Sequence, residues 1–294
     1  DEEEIMKFGL RYCNTGRYVD PAEAIELILA AEQAGFESAW TVEHTVIPAN
    51  YQSAYPYSED GKMAGGQDDV ALPDPLIWMA YVAAVTSKIK LATGILILPQ
   101  HNPVIIAKQI ATLDMMSGGR VLLGIGVGWM REEFEALGAP FEDRGARTDD
   151  YVAAMRALWS QEIATHHGEY ANFENIYCRP QPIDGAVPII VGGHSRPAAR
   201  RAGRLGNGYF PARGAPADLI SLARETAEEH GRDPDTLEIT TSFPDDVDQI
   251  SALANAGVDR LLIPVTPMAG LATRISNPDD VKNWGNIVDK YRSL

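Results

Sequence analysis

The chain has 294 residues, 45% of them hydrophobic, 22% charged, and a formal net charge of −16. That length suits one large α/β unit, and the negative balance argues against nucleic acid or an anionic membrane as the main partner. No apolar run approaches the roughly 18 residues of a membrane span, no secretory signal is visible, and Cys13 and Cys178 make neither a disulfide framework nor a metal set. A cytoplasmic protein with reduced thiols is expected. Met6 reads as the natural start, so Asp1–Ile5 is an addition outside one domain covering 6–294.

Short buried strands alternate with amphipathic helices. Lys7–Tyr12 is the first strand. Asp20-Pro21 opens a helix in which Glu23 completes a capping box and Ile25, Ile28 and Leu29 face inward, and Gly35 ends it. The second strand is Ser38–Glu43. Thr45–Pro75 follows, a long stretch rich in Tyr, Gly, Asp and Pro that reads as a lid. The third strand, Leu91–Leu98, is interrupted by Thr93-Gly94, the mark of a bulge or close approach. Asn102-Pro103 caps the next helix and Gly118-Gly119 closes it. Val121–Gly128 is the fourth strand. Its glycines at 124, 126 and 128 trade packing for space, which suggests a flat, flavin-type ring lying against it. Gln161–Pro182 is a hairpin-like excursion. Strands five to eight are Pro188–Val191, Gly208–Pro211, Leu237–Ser242 and Arg260–Val265; a helix at Thr148–Trp159 precedes the hairpin and strand five, and helices at Pro197–Leu205, Ala217–His230 and Asp246–Ala256 precede the other three. Eight strands with helical crossovers predict a (β/α)8 TIM barrel.

In such a barrel, polar residues at the C-terminal strand ends are the candidates for chemistry. Glu43-His44 closes strand two just before the lid, and a histidine there can exchange protons near neutral pH. The plainer alternative is a surface histidine beside a solvated acid. His101, His166, His167 and His230 read as structural or solvent-exposed, and no spacing of His, Asp and Glu resembles a metal site. Gly192-Gly193-His194-Ser195 leads from strand five into a helix, where free N–H groups and a hydroxyl can hold an anion. A tight turn with a serine cap would need the same residues. Arg196, Arg200, Arg201 and Arg204 crowd that helix, with 196, 200 and 204 on one face. A phosphate trailing further negative charge would account for them, as would surface ion pairs. Trp129 would overhang the barrel mouth, whereas Trp40, Trp78 and Trp159 read as packing. Cys13 is a pocket candidate whose plainer alternative is core.

With those residues in hand, the chain resembles the luciferase-like monooxygenase superfamily, and within it the coenzyme F420-dependent oxidoreductases. The motifs are LATGILILPQHNPVIIAKQIATLDMMSGGRVLLGIGVGWMREEFEALG, HGEYANFENIYCRPQP and PIIVGGHSRPAARRAGRLGNGYFP. The resemblance implies a homodimeric barrel with the cofactor ring across its mouth. It also implies a non-prolyl cis peptide at Gly94-Ile95 behind the ring, an acid–His pair near the reactive carbon at Glu43-His44, and phosphate binding by Gly192, Gly193, His194 and Ser195. Thr93, Gly126 and Arg200 join the expected cofactor set. Some F420-dependent sugar-phosphate dehydrogenases carry a glutamate directly after the strand-four glycines. Trp129 stands there instead, which leaves His44 as proton donor or acceptor and favours a larger, more apolar organic substrate. Hydride transfer with F420 is thus the leading expectation. An FMN-dependent monooxygenase and a non-catalytic cofactor-binding protein are the alternatives.

Overall fold

The computed structural model describes residues 6–58, 60–63, 68–212, 214–267, 273 and 275–291. The expected N-terminal addition, 1–5, lies outside the described residues. In chain order the elements begin with β1 (Lys7–Arg11), α1 (Pro21–Gln33), β2 (Ser38–Thr41) and α2 (Pro75–Ala83). β3 (Lys90–Thr93) and β4 (Leu96–Ile97) follow, then α3 (Pro103–Ser117), β5 (Val121–Gly126), α4 (Arg131–Ala136) and α5 (Arg144–Ser160). A hairpin of β6 (Ala164–His167) and β7 (Asn172–Ile176) precedes β8 (Ile189–Gly192), α6 (Arg196–Leu205) and β9 (Gly208–Phe210). The chain continues through α7 (Ala217–Glu229), β10 (Glu238–Ser242), α8 (Ile250–Asn255), β11 (Arg260–Pro264) and α9 (Pro278–Tyr291).

Every pairing outside the hairpin is parallel. The order runs β3-β2-β1-β11-β10-β9-β8-β5-β4, and an additional β3–β5 pairing closes the ring. β3 and β4 are one barrel strand broken at Gly94-Ile95, so eight parallel strands form the expected barrel. Strands in such a barrel are apolar on both faces because helices cover the outside. The lumen is filled by Trp40, Ala92, Leu122, Ile190, Phe210 and Leu262, a buried cluster separate from the strand–helix core. At the N-terminal end, fully buried Arg260 donates from Nε and Nη2 to both carboxylate oxygens of Glu37 at 2.9 Å, and from Nη2 to Glu238 at 3.1 Å.

Several local expectations need correction. Asp20 caps α1 by accepting from the N–H of Ala22 and Glu23, but Glu23 pairs with Arg17 at 2.6 Å and does not close a capping box. The buried face of α1 is Ala24, Leu27, Ile28 and Ala31, while Ile25 and Leu29 are half-buried. One residue of phase separates the two stripes, and contact with the barrel selects the first. α5 starts at Arg144, not Thr148. Its N-cap Asp143 makes no capping bond and adopts φ 58°, so no sequence cue marks the start. The region expected to be helical at Asp246–Ala256 is a 3-10 turn, Val247–Gln249, followed by α8. The expected helix caps of α3 are present: Asn102 accepts from Val104 and Ile105, and Gly118 ends the helix at φ 75°. Trp40, Trp78 and Trp159 are buried.

Candidate active site

The C-terminal strand ends and the 45–75 segment enclose a cleft of about 690 Å³. Of the residues singled out from the sequence, Glu43, His44, Gly94, Ile95, Gly126, Trp129 and Gly192 to Ser195 line it. Thr93, Cys13 and Arg200 are not among the lining residues. Thr93 is fully buried and donates its hydroxyl to the Gly124 carbonyl at 2.6 Å, bracing two strands beneath the cleft. Cys13 is fully buried in the core, where burial pushes its thiol up to about 12.

Two Glu–His pairs cross at the end of β2. His44 Nδ1 lies 2.8 Å from Glu133 Oε2 on α4. The other oxygen of Glu133 accepts the N–H of Thr45 at 2.8 Å and of Val46 at 3.4 Å. Because a carboxylate only accepts, Nδ1 carries the proton and Nε2 is left to exchange one. Glu43 in turn holds His101 Nε2 at 2.9 Å and accepts the N–H of Ile97 at 2.5 Å. Burial works against charge on His101, but the hydrogen bond and charge of Glu43 outweigh it and hold the imidazole above its ordinary value. Glu133 and His101 carried no signal in sequence: one is among the three glutamates of α4, the other in a turn.

The glycines of β5 clear space for the neighbouring strand, not for a ring directly. A Cβ on Gly124 would lie 1.8 Å from the Thr93 carbonyl oxygen, and one on Gly126 would lie 2.5 Å from the Ile95 side chain. A Cβ on Gly192 of β8 would meet Ile95 at 2.6 Å. The Gly94-Ile95 peptide is cis, and Ile95 nests over these glycines as it enters the cleft.

At the opposite wall, Ser195 caps α6 and accepts from the Ala198 N–H at 3.3 Å. His194 Nδ1 is 2.7 Å from the Pro211 carbonyl, which requires a proton on that nitrogen. The arginines of α6 divide differently from the expected face of 196, 200 and 204. Arg201 and Arg204 both pair with Asp149 on α5, and Arg201 lines the cleft. Arg196 and Arg200 are exposed. Arg144 was not anticipated. It lines the cleft with its guanidinium over the Phe141 ring and donates to the carbonyls of Gly128 and Phe141.

The 45–75 segment has no helix or strand before Pro75 among its described residues, yet it is tied down over the cleft. Tyr51 and Tyr55 meet Trp129 edge-on at 5.5 and 5.1 Å, and Trp129 meets His44 at 5.8 Å. Glu132 accepts the N–H of Gln52 at 2.7 Å, the N–H of Ser53 at 3.0 Å and the Ser53 hydroxyl at 2.7 Å.

Comparison with known proteins places this geometry in context. An uncharacterized protein of Mycobacterium tuberculosis is 38% identical over 187 residues, 64% of this chain and 65% of its own length. The match thus spans just under two thirds of that relative. An F420-dependent glucose-6-phosphate dehydrogenase of Kineococcus radiotolerans is 32% identical over 288 residues, covering 93% of this chain and 77% of that protein. In fold, the coenzyme F420-dependent tetrahydromethanopterin reductase of Methanopyrus kandleri superposes with a TM-score of 0.73 at 20% identity, over 95% of this chain and 97% of that one. The family model for luciferase-like monooxygenases matches residues 6–284, and with the closed barrel and bulged third strand, the chain belongs to that family.

Proposed function

We propose that this protein is an oxidoreductase that moves a hydride between coenzyme F420 and a small organic substrate, with His44 exchanging the accompanying proton. The observation that carries this reading is the His44–Glu133 pair at the mouth of a barrel whose third strand bulges into the cleft. The similarity over nearly the whole chain to an F420-dependent dehydrogenase supports the choice of cofactor.

The cleft suits a flat ring with an anionic arm. Ile95 and the Gly94 backbone offer a wall for the ring, and the N-terminus of α6 with Ser195 offers donors for a phosphate. Arg144 and Arg201 stand at the same end, and the exposed Arg196 and Arg200 lie beyond it for a polyanionic tail. When bound, F420 supplies a carbon that gives or takes hydride. The chain's own contribution is orientation and proton handling. Glu133 fixes the His44 tautomer, so Nε2 donates to or accepts from the substrate atom that gains or loses charge. Glu43, itself held by His101, fixes the strand just beyond the bulge through the Ile97 N–H. Trp129, Tyr51 and Tyr55 cover the site and limit water.

The test is a parallel fluorescence titration with F420 and FMN. Micromolar or tighter binding of F420, with FMN much weaker, supports the proposal. The reverse preference would make the protein a flavin monooxygenase and direct the next assay to oxygen uptake.

The proposal extends to a cytoplasmic homodimer. Ile77 and Tyr81 on α2 and Ile105 and Met116 on α3 are exposed on two helices that pack together, an apolar face that a second copy would cover. Light scattering should return twice the mass of the chain.

A further inference from the structure

Across the cleft from Ile95 lies a group that the redox reading does not use. Arg11, the last residue of β1, is only 7% exposed and lines the cleft. Its guanidinium meets two rings, its central carbon 4.6 Å from the centroid of Tyr12 and 4.8 Å from that of Phe210. Nη1 donates to the Ser242 hydroxyl at 2.8 Å and to the Ala212 carbonyl at 3.4 Å. Nε is buried and has no partner, and Nη2 has none among the described residues. No carboxylate pairs with this cation among the described residues, although Asp and Glu outnumber Lys and Arg by 41 to 25 in the chain. The adjacent Tyr12 hydroxyl is also buried without a partner, on a residue held at φ 67° that lines the same cleft.

A buried guanidinium without a counter-charge is costly, and so is a buried hydroxyl without a bond. Both costs fall at one place in the cleft. The two unused nitrogens, Nε and Nη2, form one edge of the planar fork, the edge that matches the two oxygens of a carboxylate. Two ring contacts and the hydrogen bonds of Nη1 restrain the guanidinium, so the edge is preorganised. The rest of the covering wall is apolar or aromatic, with Tyr55, Met63, Leu72 and Trp129.

We propose that Arg11 and Tyr12 form a carboxylate-binding subsite, and that the organic substrate is an apolar molecule carrying one carboxylate. Arg11 takes both oxygens along its Nε–Nη2 edge, and the Tyr12 hydroxyl donates to one of them. This inference rests on the redox reading of the cleft only for the word substrate; the subsite itself is a matter of binding.

The experiment uses the full chain, with and without saturating F420, and a series of arylalkanoic acids with one to four methylenes beside the matching primary amides. Binding is read by calorimetry and by thermal shift. At least one acid should bind tenfold or more tighter than its amide. Arg11→Gln should abolish the preference, Arg11→Lys should restore only part of it, and Tyr12→Phe, which keeps the ring, should reduce it several-fold. Equal binding of every acid and amide, or no binding at all, overturns the proposal. So does a preference that survives in Arg11→Gln, and so does an Arg11→Gln protein that loses F420 affinity while keeping the preference. Should F420 itself fail to bind, the redox reading falls, and the acid–amide comparison on the cofactor-free protein still decides the subsite.

Discussion

His44 and Glu133 are 89 residues apart in sequence and 2.8 Å apart in space, Nδ1 to Oε2. The carboxylate that orients the imidazole also anchors the first two residues of the covering segment through the N–H groups of Thr45 and Val46. The candidate proton-exchanging histidine and the root of the covering segment therefore share one buried glutamate. His44→Ala should lower turnover by about a hundredfold or more while F420 affinity stays within several-fold. Glu133→Gln keeps an acceptor but not the charge, and should cost about tenfold with a displaced pH profile. Oxidation of reduced F420 followed by fluorescence over a range of pH measures both, and unchanged turnover in His44→Ala would remove the histidine from the chemistry.

Glu132 fastens the middle of the same segment. Three hydrogen bonds to Gln52 and Ser53 pull its carboxyl down to about 2 against the opposing effect of burial. In Glu132→Ala, proteolytic cleavage near Ser53 should become several-fold faster. The hydrogen bond that the Arg131 N–H donates to the Ser53 hydroxyl, at 3.1 Å, remains to slow it. Mass spectrometry of limited digests would show the site and the rate.

The exposed arginines of α6 offer a test of the cofactor's arm. Arg196→Ala and Arg200→Ala should each weaken F420 with its tail by about two- to fivefold, the scale of an exposed ion pair. A tail-less analogue should be unaffected. Equal losses for both forms would show that these residues only shape the helix surface.

His101 titrates above the ordinary histidine value because Glu43 holds its charged form. A raised folded value means that its contribution is full below about 6.5, the ordinary value, and is lost as pH rises through the higher folded value. The melting temperature of the protein should therefore decline as pH rises through this window more steeply than that of His101→Asn. Parallel slopes would show that the pair adds nothing to stability.

At the opposite end of the barrel the sign is reversed. Burial pushes the Glu37 carboxyl up, but the charge and two hydrogen bonds of Arg260 prevail and bring it to about 2, from an ordinary 4.5. Its contribution is present above 4.5 and lost as pH falls toward 2. Acid unfolding of Glu37→Gln should show a flatter dependence over that range. Arg260→Met would leave Glu37 with Lys90 and Glu238 with Lys7 as their remaining counter-charges, and should cost about 3 kcal/mol in urea unfolding.

The barrel was legible because its causes are local and repeated. Apolar runs at 121–126 and 261–265, the Asn102-Pro103 cap, and the Gly118 stop state their roles within a few residues. The interruption of the third strand was legible from one misplaced glycine, Gly94, and its cis peptide at Gly94-Ile95 from the family resemblance. The glycines of β5 were read correctly as clearance, but not for the right neighbour, since only packing shows that Ile95 and the Thr93 carbonyl fill the space.

By itself, then, the sequence determined the alternation of elements, the strand ends that face the cleft, and the position of His44 among them, because hydrophobic period, caps and breakers act over short distances. Only the tertiary structure decided which partner each polar group received. Glu133 was chosen for His44, His101 for Glu43 and Asp149 for Arg201 and Arg204, while Arg11 was left without a carboxylate among the described residues. Those pairings join residues from roughly fifty to ninety positions apart, and no local pattern encodes them; they follow from barrel closure, which brings the ends of separate strands and helices to one face.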